Sequence, residues 1–160
     1  MKIAIVSDTH YAVERFRHLL QLLKFHRVHH LIHAGDYDGV GVEDVICAER
    51  SINFYIALGN CDCNWQKNDL LKSKEHIIIG EVISFAIENV SFGVAHIPGK
   101  AQEALKDRDI RIFVSGHTHK KQMDKHSHGW TLNPGSLVDN GSYLLLDLSS
   151  LKVTDHYIES

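Results

Sequence analysis

A chain of 160 residues is long enough to bury a real core as one compact domain, and its 44% hydrophobic and 23% charged content is ordinary for a globular protein. No apolar run approaches the roughly 20 residues of a membrane helix, and the start "MKIAIVSDTH" has too short an apolar stretch for a signal peptide, so a cytoplasmic protein without membrane contact is expected. A formal net charge of −3 removes any general electrostatic case for gripping nucleic acid or an anionic surface.

The first element is "KIAIVS", an apolar run that reads as a strand. Val13, Phe16, Leu19, Leu20 and Leu23 then recur at helical spacing within "YAVERFRHLLQLLKFHR", which predicts an amphipathic helix. "HHLIHAG" and "INFYIALG" read as further strands, with a helical pattern in "VEDVICAERS" between them. Strand, helix, strand, helix, strand implies a parallel sheet with crossover helices. Beyond residue 75 the pattern turns β-rich. "HIIIG", "EVISFAIENV" and "SFGVAH" read as strands joined by tight turns, and the helix "AQEALKDRD" precedes the strand "IRIFVS". The tail holds "KQMDKHSHGWTLNPG", "SYLLLDLSS" and "KVTDHYIE", with hairpin turns expected at "SHGW" and "SSLK". Residues 1–160 are therefore expected to form a single α/β domain of two packed sheets with helices outside. Three cysteines, Cys47, Cys61 and Cys63, cannot all pair within the chain and are expected to be reduced; "CDC" is too tightly spaced for an ordinary thiolate zinc site.

Five apolar strands end in a side chain able to bind metal. "IAIVSDTH" delivers Asp8 and His10, "LIHAGD" Asp36, "YIALGN" Asn60, "FGVAH" His96 and "FVSGHTH" both His117 and His119. Asp36, Asn60 and His117 each follow a glycine, which permits a sharp turn and close backbone approach. The carboxyl ends of neighbouring strands in α/β folds converge on one crevice, so the seven are expected to meet. Singly, each has a plain reading: an Asp or Asn after a strand is usually a turn former, and a strand-end His usually a satisfied structural residue. The plain readings would have to coincide five times. Four imidazoles, two carboxylates and one amide oxygen suit ions of intermediate softness: Mn²⁺, the first choice here, or Ni²⁺, Fe²⁺, Co²⁺ or Zn²⁺. Seven donors are too many for one tetrahedral ion and suit two ions sharing a carboxylate.

"DTH", "GD" at 35–36, "GNCD" at 59–62, the isolated His96, "GHTH" at 116–119 and "NPGS" at 133–136 occur in this order. The ordered set resembles the calcineurin-like metallophosphoesterase superfamily, above all its small YfcE-type phosphodiesterases, a branch that also contains the Vps29 subunit of retromer. The resemblance runs from residue 3 to about 147. It implies a four-layer αββα sandwich, two mixed sheets with flanking helices and no cap domain. It also implies that Asp8, His10, Asp36 and His119 hold one divalent ion and that Asp36, Asn60, His96 and His117 hold a second, with Asp36 bridging. Asp36, Asn60 and His96 are accordingly the residues expected nearest the chemistry, the in-line attack of a metal-bridging hydroxide on a small phosphodiester.

The departures from the family pattern are local. Cys61 stands where many members carry a histidine that assists the leaving group, and a neutral thiol is a poor substitute, so a steric role is expected. Asp62, without that histidine to orient, is expected to cap or shape a turn. Ile97 replaces a glycine and is expected to narrow the groove beside His96. Tyr11, also at a glycine position, is a candidate for lining the substrate cleft, packing being its plainer reading. His33, Asp38 and Cys63 are expected to be structural, and His26, His29, His30, His126 and His128 solvated. A Vps29-like scaffold without catalysis is the competing reading, against which all seven donor positions are filled. A metal-dependent nuclease is weakened by the lack of a basic cluster beyond Lys120, Lys121 and Lys125. Self-association into a homo-oligomer through exposed strand edges is a further expectation.

Overall fold

Ile3 and Ile5 on one side of the first strand and Ala4 and Val6 on the other are all fully buried, so β1 (Lys2–Val6) is covered on both faces. In the computed structural model, which describes residues 1–38 and 41–159, Ala4 and Val6 face a core shared with helices, and Ile3 and Ile5 face a core shared with a second sheet. The period-two alternation of the strand thus feeds two separate cores.

The first sheet has six strands in the order β11-β10-β1-β2-β3-β4. β1 pairs in parallel with β2 (His30–His33), β2 with β3 (Asn53–Ala57) and β3 with β4 (Ile77–Gly80). The tail returns to the other side of β1, where β10 (Ser142–Asp147) and β11 (Lys152–Tyr157) add in antiparallel fashion. The second sheet runs β5-β6-β7-β9-β8, built from β5 (Val82–Ile87), β6 (Val90–Ala95), β7 (Ile112–Val114), β8 (Gln122–Lys125) and β9 (Trp130–Asn133). Strands β6, β7 and β9 are mutually parallel, while β5 and β8 are antiparallel edges. "HIIIG" runs into β5 through the single residue Glu81, the tight connection expected, but the two strands do not pair: β4 pairs with β3 and closes the first sheet, and β5 begins the second.

α1 (Val13–Phe25) buries Phe16, Leu19, Leu20 and Leu23 on the outer face of the first sheet, the stripe its periodicity predicts. α2 (Val42–Ala48), α3 (Trp65–Lys72) and α5 (Leu137–Asn140) contribute Val42, Ile46, Leu71 and Leu137 to the same core. α4 (Lys100–Ala104) packs on the second sheet against β5, β6 and β7, and is shorter than the predicted helix. The layers are helix, sheet, sheet, helix. Each fully buried Leu, Ile or Phe in these cores contributes about 1.5–3 kcal/mol by leaving water. No described helix is long and apolar enough to cross a membrane.

Candidate metal centre

The loops leaving β1, β2, β3, β6 and β7 all emerge at the carboxyl ends of parallel strands, from both sheets, and they are stitched together there. Asp8 N donates to Gly35 O and His10 N to Asp36 O, each at 3.0 Å, and Gly116 N donates to His96 O at 2.9 Å. The turn after β9 closes onto the same place, with Leu137 N bonded to Ser7 O and Val138 N to Asp8 O. Eight described non-glycine residues have positive φ, and five of them are Asp8, His10, Asp36, His117 and His119. Such conformations cost of order 1–3 kcal/mol each and persist only where surrounding bonds impose them. The fold spends stability to aim these five side chains.

Two glycines act here through space rather than through φ. A Cβ at Gly116 would lie 1.9 Å from Ser7 Oγ and 2.9 Å from Asp8 Oδ2; one at Gly59 would lie 2.0 Å from Asp36 Oδ1. Close approach, expected toward a bound group, is toward neighbouring donor side chains.

All seven predicted residues converge. His119 Nε2 lies 3.1 Å from Asp8 Oδ1, His96 Nε2 3.2 Å and His10 Nε2 3.9 Å from Asp36 Oδ2. His117 Nδ1 lies 3.1 Å from Asn60 Oδ1, and the His96 and His117 rings meet edge to face at 5.1 Å. Donor atoms within 4.8 Å of one another come together in the groups Asp8–His10–His119, Asp8–Asp36–His96 and His10–Asp36–Cys61. Asp8, Asp36 and His96 are buried, His10 and His119 half-buried, and Asn60 and His117 exposed.

The hydrogen bonds decide which ring nitrogens are free. A carboxylate can only accept, so His10 Nδ1 donates to Asp38 Oδ1 at 3.0 Å and His119 Nδ1 to Asp139 Oδ2 at 2.6 Å. His96 Nδ1 likewise donates to the Ala34 carbonyl at 2.7 Å. Each ring then turns Nε2 toward the shared carboxylates. Among the described residues, three buried side-chain atoms make no hydrogen bond, and two of them are Asp8 Oδ1 and His96 Nε2, which face His119 Nε2 at 3.1 Å and Asp36 Oδ2 at 3.2 Å in close approach but not in hydrogen-bond geometry. A buried carboxylate oxygen or imidazole nitrogen without a hydrogen bond is costly, and a cation satisfies both. The donor set fits divalent ions.

Charge runs the same way. Burial works to raise Asp36, but His96, the Cys61 N–H and the charge of His10 outweigh it and hold the carboxyl at about 2. Burial works to lower His96, and the Asp36 carboxylate and Ala34 carbonyl outweigh it, so the imidazole stands above its ordinary value. The position attracts positive charge, a proton or an ion. Asp62 is pushed up to about 6, by burial first and Asp36 second, against three amides that bond its carboxylate: Asp36 N at 2.8 Å, Tyr37 N at 2.9 Å and Gly59 N at 2.7 Å. Its turn-shaping role thus spans two loops, the pair that carries Asp36 and Asn60.

A cleft of about 410 Å³ opens beside Asn60 and His96, with Leu58, Cys63, Ile97 and Lys100 in its walls. Ile97 lies where expected. Cys61 touches the shared carboxylate through its backbone, N to Asp36 Oδ1 at 2.9 Å, while its thiol is pushed up to about 11 by partial burial and then by Asp36 and Asp38. Tyr11 does neither of the things expected of it. It is 79% exposed, so it is not packed, and it borders a separate groove with Val13, Arg15 and Val138. Nor is His30 fully solvated: it is half-buried, stacks on Tyr55 and contacts its hydroxyl at 3.0 Å. His33 is fully buried, its Nδ1 accepting from Gly35 N at 3.2 Å and its Nε2 meeting Thr9 Oγ1 at 2.8 Å. The three cysteines are free thiols. Sequence reasoning missed Lys100 in the cleft and Asp139 behind His119; Asp139 carries no signal, standing 20 residues from its partner.

The model of the calcineurin-like phosphoesterase superfamily domain matches residues 1–151. Phosphodiesterase MJ0936 of Methanocaldococcus jannaschii is 28% identical over 139 residues, 84% of this chain and 83% of that protein. Among solved structures, a novel archaeal phosphodiesterase superposes with a TM-score of 0.83 at 26% identity, covering 99% of this chain and all of the other. Vps29 of Entamoeba histolytica (a single mutant) and the phosphoesterase Yfce of E. coli share the fold, with TM-scores of 0.65 and 0.67 at 22% and 19% identity, 99% coverage of this chain and 100% of each of theirs. The chain belongs to the calcineurin-like phosphoesterase superfamily, a family of hydrolases.

Proposed function

We propose that this protein is a phosphodiesterase that works with two divalent ions on small diesters. Asp8, His10, Asp36 and His119 would hold one ion, and Asp36, Asn60, His96 and His117 the other. The observation that carries the reading is the pair of buried atoms that make no hydrogen bond, Asp8 Oδ1 and His96 Nε2, aimed into a set of converging donors. The ions, when bound, would supply Lewis acidity toward the phosphoryl oxygens and lower the pKa of water. Two divalent charges against Asp8 and Asp36 leave about +2, which suits an anionic diester. Mn²⁺ is the first ion to try, with Ni²⁺, Fe²⁺, Co²⁺ and Zn²⁺ equally compatible with nitrogen and oxygen donors.

The chain's own residues would orient the substrate. Leu58 and Ile97 offer apolar wall and Lys100 offers positive charge in the cleft beside Asn60 and His96. Cys61, a neutral thiol at neutral pH, is a poor proton donor, so diesters with acidic leaving alcohols are the favoured substrates. Purified protein with Mn²⁺ should therefore hydrolyse bis-p-nitrophenyl phosphate. Inactivity with every one of these ions would overturn the proposal.

The fold likeness to Vps29 supports a second reading, a scaffold that binds partners without hydrolysis. The large exposed side chains Tyr11, Phe25 and Trp65 would then be contact residues. Metal uptake without hydrolysis of any diester would favour it. The filled donor set favours the enzyme.

A further inference from the structure

The four imidazoles of the centre do not have equivalent backing. His119 Nδ1 is held by the Asp139 carboxylate at 2.6 Å and His10 Nδ1 by the Asp38 carboxylate at 3.0 Å. His96 leans instead on a neutral backbone carbonyl, Ala34 O, and the His117 ring meets a neutral amide, Asn60 Oδ1. Asp8 and Asp36 are common to the centre, since their donor atoms and that of His96 lie within 4.8 Å of one another. The difference between the halves is the charge behind the imidazoles: carboxylates meet Nδ1 of His10 and His119, and neutral oxygens meet Nδ1 of His96 and His117.

Asp139 is built into place. It lies in the one-turn helix α5, capped by Ser136 Oγ, which accepts from Asp139 N at 3.2 Å. That turn is bolted to the backbone of Asp8 through Val138 N, and Arg15 Nη1 clamps it by donating to Leu137 O at 2.8 Å and Val138 O at 2.7 Å. The element that carries Asp139 is therefore fixed to the donor Asp8 that Asp139's partner His119 faces. Two α5-side contacts and one ion's donors form a single mechanical unit.

We infer that Asp139 and Asp38 are positioning residues that make the Asp8–His10–His119 half the tight metal site and leave the Asn60–His96–His117 half the exchangeable one. A carboxylate behind a ligating imidazole fixes the tautomer with Nε2 free, orients the ring and makes that nitrogen a stronger donor. A carbonyl fixes the tautomer but adds no net charge. The inference rests on the proposed function, in which these side chains are ligands.

The test is a stepwise Co²⁺ titration of the chelator-stripped full chain, followed by visible absorption and calorimetry, with thermal melting of the metal-free protein alongside. The unmodified protein should take up two ions in two resolved steps. In Asp139→Ala the tighter step should weaken by about 10–100-fold, the range known for outer partners of metal-binding histidines, and its absorption band should change. Asp139→Asn, which can still accept from Nδ1, should lose less. Asp38→Ala should act on the same step. The looser step and the melting temperature of the metal-free protein should stay where they were, because Asp139 and Asp38 are exposed. Loss confined to the looser step, or an unchanged tight step in both alanine variants, overturns the inference while the dinuclear reading stands. Failure of the unmodified protein to take up any ion overturns both.

Discussion

The two halves of the candidate centre are made differently. Asp8 and His10 sit on a loop pinned at both ends by backbone bonds to the β2 loop and the α5 turn, and Asp8 is fully buried. Asn60 and His117 are exposed and sit on loops from different sheets, and Asn60 lines the open cleft. His96 and Asp36 join the halves: Asp36 is shared, and His96, buried behind it, ties the second sheet to the first through Ala34 O. A pinned half beside an open half suggests a division of labour. On the proposed function, one side would hold its ion in place and the other would meet substrate.

The most damaging break is at the junction. Asp36→Ala should empty both halves and reduce phosphodiester hydrolysis to background, as read by metal analysis and by turnover on the same preparation. Retention of both ions would refute the bridging assignment. Next come variants confined to one half. His10→Ala should cost mainly one ion, and Asn60→Ala or His96→Ala mainly the other, each lowering turnover by at least about a hundredfold, the upper end of what losing a mere outer partner costs. Loss of both ions in Asn60→Ala would mean that the halves are not separable.

The pinned half should also fail by packing alone. A Cβ at Gly116 would meet Ser7 Oγ at 1.9 Å, Ala34 O at 2.9 Å and Asp8 Oδ2 at 2.9 Å, one a backbone atom and two the ends of short, fully buried side chains with little room to move aside. Gly116→Ala should therefore destabilise the metal-free protein by about 3 kcal/mol, the cost of forcing bulk into a filled site. At Gly99 nothing lies within 4 Å, and an alanine there should cost only its unfavourable φ. Denaturant unfolding of the two variants checks the contrast.

Much of this arrangement was legible in the chain. The strand ends bearing Asp8, Asp36, Asn60, His96 and His117 could be found because apolar runs stop abruptly at polar side chains, and the βαβ spacing says which ends lie together. α1 was legible because Phe16, Leu19, Leu20 and Leu23 keep the helical period. α3 was not, because it buries only Asn68 and Leu71 and so shows no stripe, although Asn64 accepts from Lys67 N as its cap. α5 is a single turn and has no period to detect. Asp38 and Asp139 stand 28 and 20 residues from the rings they hold, a pairing set by tertiary structure alone. Tyr11 misleads for the opposite reason: it is three residues from Asp8 in sequence, yet past the left-handed turn at His10 it borders a different groove.

A smaller, pH-dependent effect tests what lies under the pinned half. His33 is fully buried between Thr9 and Gly35, and burial, then the nearby His96, lowers its pKa to about 3. In the unfolded chain it takes a proton near its ordinary 6.5, whereas the folded protein refuses one until about 3. The unfolded state therefore binds more protons over that window, and stability falls as pH drops through it. Relative to His33→Gln, the unmodified protein should lose about 1.4 kcal/mol per pH unit between 6 and 4. Taking the difference cancels the carboxylates common to both proteins, including Asp62, whose raised pKa works in the opposite sense. Parallel curves would mean that His33 is protonated in the fold.

The smallest expected change belongs to the open half. Lys100 lines the cleft beside Asn60 and His96, and its ammonium lies 3.5 Å from Glu81, itself largely exposed. A solvated lysine attracts an anionic substrate weakly, by no more than about 1 kcal/mol, and part of that attraction is spent on Glu81. Lys100→Ala should therefore raise KM for a diester by about fivefold at most and leave kcat alone, since the charge acts on binding and not on the reacting atoms. Glu81→Ala should lower KM by releasing the lysine, and both effects should shrink as salt rises. Neither variant should alter metal content. An effect of Lys100→Ala on kcat would move this residue out of the cleft wall and into the centre, and the division between a holding half and a meeting half would have to be redrawn around it.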